Sequence, residues 1–160
     1  MQTISYTPIG VIRSPFTTLA GMPIQTVAAQ GIAATVELDP AYAAGCKDLE
    51  EFSYVLLLTH LHQMQGFALE VTPFMDTRPH GVFATRSPRR PNPIGLSIVR
   101  LVRVDGATLH IEEVDLVDGT PVLDIKPYVP QLDNRDAERT GWFAENVHKV
   151  YQVRADDRIR

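Results

Sequence analysis

Three arginines and three prolines fall within Gly81-Val82-Phe83-Ala84-Thr85-Arg86-Ser87-Pro88-Arg89-Arg90-Pro91-Asn92-Pro93-Ile94-Gly95-Leu96-Ser97. Each proline fixes its own φ and disfavours helical geometry in the residue before it, so Ser87, Arg90 and Asn92 are held extended and the stretch is a stiff loop. A guanidinium is permanently charged and planar, and it suits carboxylates, phosphates and aromatic faces. A rigid loop carrying Arg86, Arg89 and Arg90 therefore reads as a recognition element for an anionic or planar ligand. The plainer reading is a solvated basic loop punctuated by proline. Arg78, Arg86, Arg89 and Arg90 lie within thirteen residues, and Arg100 and Arg103 follow, although the whole chain carries a formal charge of −4. That balance argues against a protein that coats nucleic acid non-specifically and leaves room for a local basic patch.

The second group able to do chemistry is acidic. Asp115-Leu116-Val117-Asp118-Gly119-Thr120-Pro121-Val122-Leu123-Asp124-Ile125-Lys126-Pro127-Tyr128 reads as a strand-turn-strand unit with three carboxylates and one lysine. Asp118-Gly119 is ordinary turn chemistry. Asp124 and Lys126 share one face of a strand, so a mutual ion pair holding the end of a sheet is the simple account. The functional account has the aspartates meeting a cation or ribose hydroxyls while Lys126 and Tyr128 contact substrate. His60 and His62 also share a face at strand spacing, and Glu70 or His80 could join them around a metal. No third ligand has a recognisable spacing, so the expectation is no metal and a backbone- or ligand-contacting role. His62-Gln63, ending an apolar run, suits a polar pair at the mouth of a barrel. Gly10, Gly21, Gly31 and Gly45 are scattered, and nothing matches a phosphate loop or a dinucleotide fingerprint.

These groups need a scaffold. At 160 residues the chain is expected to form one domain with its own core. Ile4 to Arg13, Ala33 to Leu38, the apolar Tyr54 to Leu61 and Pro121 to Ile125 read as strands, the third buried on both faces. Leu96 to Val104 and Ala107 to Val114 alternate around Asp105-Gly106, a hairpin signal. Gly81 to Thr85 is a further short apolar stretch. Helix is sparse, a turn or two in Ala41 to Phe52 and in Trp142 to Val147. Short strands at turn-punctuated spacing predict a mainly β protein, a small barrel or sandwich. Polar Gln131 to Thr140 is expected to be a surface loop, so residues 1–135 form the barrel domain and 136–160 an extension packing on it or on a dimer partner. The lone Cys46 reads as structural. No leader or apolar run of membrane-spanning length is seen, and the expected compartment is the cytoplasm.

Ile9-Gly10-Val11-Ile12-Arg13-Ser14-Pro15, Gly81 to Ser87, Arg90-Pro91-Asn92-Pro93-Ile94-Gly95-Leu96-Ser97 and Asp115 to Tyr128 stand in an order that resembles the TsaA-like family, whose best-described members are TrmO-type tRNA methyltransferases. The resemblance covers most of residues 4 to 130. It implies a small β-barrel that binds S-adenosylmethionine as a homodimer and methylates N6 of a threonylcarbamoyl-modified adenosine beside a tRNA anticodon. It implies cofactor contacts at Pro23, Ile24, Gln25, His62, Gln63, Arg86, Leu96 and the segment Asp115, Leu116, Val117, Asp118 and Gly119. An arginine is expected where this chain has Ile24. Asp118 or Asp124 is the expected proton acceptor, Lys126 the partner of the substrate's carboxylate, and Arg89, Arg90, Asn92 and Tyr128 the substrate-binding set. The bacterial tRNA enzymes carry a sizeable further domain, whereas about thirty residues follow Pro130 here. The competing readings are a cofactor-free RNA-binding barrel and a metal-dependent barrel built on His60 and His62.

Overall fold

Strand alternation decides the architecture. In β3 (Tyr54–His60), Val55, Leu57 and Thr59 are buried while their neighbours are partly or fully exposed. The run of consecutive apolar residues therefore does not mean burial on both faces, as expected from its composition, because only one face meets the core. The computed structural model describes residues 2–156 and Arg158. Its remaining barrel strands are β1 (Gly10–Arg13), β2 (Ala33–Leu38), β6 (Ile94–Asp105), β7 (Thr108–Glu112) and β8 (Pro121–Pro127). They close in the order β1-β2-β7-β6-β3-β8, with β8 returning to β1, all antiparallel. Two-residue strands β4 (Glu70–Val71) and β5 (His80–Gly81) form a separate pair.

The first strand is shorter than its composition suggests, starting at Gly10 rather than Ile4. Gly10 permits the close pairing of β1 on β2, since a Cβ there would lie 2.5 Å from the Glu37 carbonyl oxygen. Gly81 to Thr85 gives the end of β5 and a 3-10 turn over Val82–Ala84. The β6–β7 hairpin turns through Gly106, whose φ of 59° favours glycine. Ile12, Val36, Val55, Leu57, Val99, Leu109, Ile111, Val114 and Val122 fill the barrel interior. Complete burial of such a side chain contributes roughly 1.5–3 kcal/mol. Half-buried Cys46 packs against this core from the 3-10 segment Pro40–Cys46, and burial pushes its thiol pKa up.

The carboxy-terminal segment returns to the barrel. After the single helical turn α1 (Pro130–Asp133) and an exposed stretch, α2 (Phe143–Asn146) leads into a 3-10 turn over Val147–Tyr151. Reciprocal backbone hydrogen bonds follow, Gly21 N to Ala155 O and Ala155 N to Met22 O, both 2.9 Å. Met22, Val117 and Ala155 centre a second apolar cluster that includes Phe16, Leu19, Ile24 and Phe74. No helix among the described residues is long and apolar enough to cross a membrane.

Candidate functional site

The open end of β6, the arginine loop and the carboxy-terminal segment enclose a cavity of about 750 Å³. Pro23, Ile24 and Gln25 line it from one side, Arg86, Arg89 and Arg90 from another, and Leu96, Asp115 and Leu116 from the barrel. A recess of about 50 Å³ adjoins it, sharing Asp115 and Leu116 and adding His62, Gln63 and Val117. Most of the residues expected to touch a cofactor therefore converge, although they come from five separate parts of the chain.

Asp115 owes its position to an unusual backbone. Glu113, just past β7, has φ 66°, a left-handed conformation that costs a non-glycine residue about 1–2 kcal/mol. Two residues later the Asp115 carboxylate accepts a 2.8 Å hydrogen bond from the Ser97 hydroxyl of β6. Burial pushes its pKa up to about 6, against the opposing effects of the Ser97 bond and the Arg86 charge. A carboxyl group poised there changes protonation close to neutral pH, as a general base should.

The arginine loop is stiffened from within as well as by its prolines. Arg90 Nη1 donates to the carbonyl oxygens of Thr85 and Ser87 at 3.1 and 3.0 Å. The Ser87 and Arg89 amides donate to the hydroxyls of Thr85 and Ser87. Arg86 Nη1 donates to Gln25 Oε1 at 2.7 Å, while Gln25 Nε2 donates to the Ile24 carbonyl. Arg89 Nε is buried without a hydrogen-bond partner among the described residues. Such donors are uncommon in folded proteins. Ile24 adds an apolar surface where the resemblance implies an arginine, packing on the Met22–Val117–Ala155 cluster.

Other expected residues sit elsewhere. Asp118, Gly119, Asn92, Asp124, Lys126 and Tyr128 line neither the cavity nor its recess. Asp118 Oδ1 accepts from the Ser14 amide at 3.2 Å, and the positive φ of Gly119, 78°, shapes the turn before β8. Lys126 Nζ and Asp124 Oδ2 form a 2.7 Å ion pair at the surface, which is the simple account of their shared strand face. Tyr128 donates to Asn134 Oδ1 and meets Tyr54 edge to face. His60 ends β3 on the exposed side, and no group of three histidine, cysteine or acidic side chains among the described residues is arranged to hold a metal.

The cavity also contains residues outside every motif read from the sequence, Phe74, Met75, Trp142, Phe143 and Arg158, and Ser97, which closes a motif without a role assigned to it there. The available signal was the pair Trp142-Phe143, apolar and aromatic, directly after ten residues that are polar or turn-forming except for Leu132 and Ala137. Trp142 donates through Nε1 to the Ala84 carbonyl at 2.8 Å and stacks on His80 at 4.9 Å between ring centroids. His80 is paired with Asp76 at 3.0 Å, and this bond holds the Asp76 carboxyl well below the usual carboxylate range.

Comparison with known proteins places this geometry. Residues 11–134 match the tRNA-methyltransferase O N-terminal domain. A probable S-adenosyl-L-methionine-binding protein of Pyrococcus abyssi is 52% identical over 156 residues, covering 98% of this chain and 85% of the relative. The mouse tRNA (adenine(37)-N6)-methyltransferase is 37% identical, covering 79% of this chain and 31% of its own length. The crystal structure of TrmO from Pseudomonas aeruginosa superposes with a TM-score of 0.74 at 40% identity, over 88% of this chain and 63% of that one. The chain thus spans most of the archaeal relative but under two thirds of the solved TrmO and about a third of the mouse enzyme. Barrel topology, the four sequence blocks and the matched residues agree: the chain belongs to the family of TrmO N-terminal domains.

Proposed function

We propose that this chain is an S-adenosylmethionine-dependent methyltransferase that acts on N6 of a threonylcarbamoyl-modified adenosine in tRNA. The carrying observation is Asp115, its pKa raised to about 6, in a cavity that also contains four arginines, Arg86, Arg89, Arg90 and Arg158. The donor set suits the cofactor. Arg86 matches its carboxylate, while Leu96, Leu61 and Ile94 offer apolar surface to its less polar parts. When bound, the cofactor supplies an electrophilic methyl group, so the protein's main task is positioning. A carbamoyl-substituted nitrogen is a weak nucleophile. Asp115 is the proton acceptor we assign to it, in preference to Asp118 or Asp124, which lie outside the cavity. Ser97, hydrogen-bonded to Oδ1, holds the carboxylate in place and leaves Oδ2 to take the proton.

The proposed assembly is a homodimer working in the cytoplasm. Leu96 is 59% exposed at the cavity rim, with Ile94 beside it, and a second copy covering that edge would complete the enclosure. Calorimetry with S-adenosylmethionine tests the cofactor. Mass spectrometry of tRNA nucleosides from a deletion strain tests the acceptor, the expected result being loss of the N6-methylated form. A protein that binds RNA but gives no heat with the cofactor would instead support the cofactor-free RNA-binding barrel.

A further inference from the structure

Phe74, Trp142 and Phe143 bring three aromatic rings to the lining of the large cavity, whereas the recess beside Asp115 has no phenyl or indole ring. The rings are braced. The Trp142 and Phe143 ring centroids lie 3.9 Å apart, with His80 against Trp142, and the Arg158 guanidinium lies 5.0 Å from the Phe74 centroid. Asn146 Nδ2 donates to the Trp142 carbonyl at 2.9 Å, and Lys149 Nζ donates to the carbonyl of Met75, beside Phe74, at 3.1 Å. His80 and Phe143 both stack on Trp142 and Arg158 lies over Phe74, so Trp142 backs the wall. The surface left to a flat ligand, without further ordering cost, is the face of Phe143 away from Trp142 and of Phe74 away from Arg158. The cavity of about 750 Å³ lies in the upper part of the range of small-molecule pockets, about 300–1,000 Å³. Methyl transfer requires donor and acceptor side by side in one enclosure.

We propose that Phe74, Trp142 and Phe143 form the wall on which the acceptor's heterocycle stacks, making the carboxy-terminal segment the acceptor-recognition element. This rests on the methyltransferase reading above. Trp142 and Phe143 lie beyond the matched residues 11–134, so acceptor choice is carried by a part of the chain outside the matched domain.

The test uses the full chain with Trp142→Leu, Trp142→Phe and Phe143→Leu. The acceptor is an anticodon stem-loop carrying threonylcarbamoyladenosine. Base–aromatic stacking predicts that each leucine variant raises acceptor KM by roughly 5- to 150-fold with the cofactor Kd unchanged, and that Trp142→Phe recovers most of the loss. Trp142 is the single tryptophan of the chain, so its emission should also change when the stem-loop is added to protein loaded with S-adenosylhomocysteine. Loss of cofactor affinity at unchanged acceptor KM would assign the wall to the cofactor's adenine and overturn the proposal. Parallel loss of both would make the wall a brace and overturn it too. Wild-type turnover with unaltered KM in the leucine variants overturns this proposal alone. A wild-type protein that binds cofactor but neither binds nor methylates the stem-loop overturns the tRNA reading, and this assignment with it.

Discussion

Arg86 and Gln25, 61 residues apart in the chain, meet through a 2.7 Å hydrogen bond between Nη1 and Oε1. The bond joins the arginine loop to the segment after Met22 and leaves the Arg86 charge close enough to Asp115 to lower its pKa.

Arg86→Ala should raise the dissociation constant for S-adenosylmethionine about ten- to a hundredfold, the usual cost of a charged hydrogen-bond partner. Gln25→Ala should cost less, and the double variant should cost less than the sum, because both remove the same bridge. Calorimetry on the four proteins closes the cycle; strict additivity would mean that the bridge has no part in binding.

The raised pKa of Asp115 has two consequences of known sign. With kcat governed by the ionised carboxylate, activity should fall as pH drops through about 6, and Asp115→Asn should be poorly active with that inflection gone. The unfolded chain loses this proton at about 3.9, so between about 4 and 6 the folded state holds more protons than the unfolded. Stability of the ligand-free protein should therefore decline as pH rises across that window, by roughly 2 kcal/mol from this group. Denaturant melts of wild type and Asp115→Asn across pH 4 to 7 measure the difference, and parallel curves would count against a buried, perturbed Asp115.

Arg89 and Arg90 should separate on salt. Arg90 is bonded to its own loop, so Arg90→Ala should weaken cofactor and tRNA binding together. Arg89→Ala should mainly weaken tRNA binding and flatten the slope of log affinity against log salt by about 0.7–0.9 for each phosphate that Arg89 neutralises. An unchanged slope would leave Arg89 to the cofactor.

Light scattering at micromolar concentration should return twice the 17.8 kDa chain mass. Leu96→Lys should shift it toward the monomer and lower turnover, because the charge would sit on the exposed apolar rim. A monomeric wild type would remove the second copy from the site.

Relief of the Glu113 backbone is the fifth test. Glu113→Gly should stabilise the fold by roughly 0.5–1 kcal/mol, the left-handed cost less the added chain entropy of glycine. Thermal melts report it directly; a lower Tm would show that the Glu113 side chain does more than its conformation costs.

The barrel is legible in the sequence because its strands announce themselves. Ala33–Leu38 and the hairpin around Gly106 follow from alternation and turn chemistry, which are local. The apolar run of β3 marks a strand but misleads on its burial, since composition does not say how many faces are covered. Of the site, the arginine loop and Asp115 lie in motifs, whereas Ser97's bond to Asp115 and the Arg86–Gln25 bridge depend on closure of the barrel. Asp124 and Lys126 carry the right chemistry on a strand whose pair lies outside the cavity. Trp142 and Phe143 could not be placed from sequence, because only the return of the chain end to Met22 brings them to the site.

That return gives the enclosure two sides of unequal persistence. One side is barrel strand, paired along its length and backed by the main core. The other is held by one-turn helices, a few side-chain hydrogen bonds and the Gly21–Ala155 and Met22–Ala155 amide pairs. Elements fastened so lightly open at lower free energy than the barrel, so amide protons of Met22, Ile24 and Gln25 and of Phe143 to Ala155 should exchange with solvent well before those of Val55 and Leu57. Under the tRNA reading proposed above, a long modified RNA loop enters by transient release of this segment, with the barrel folded throughout.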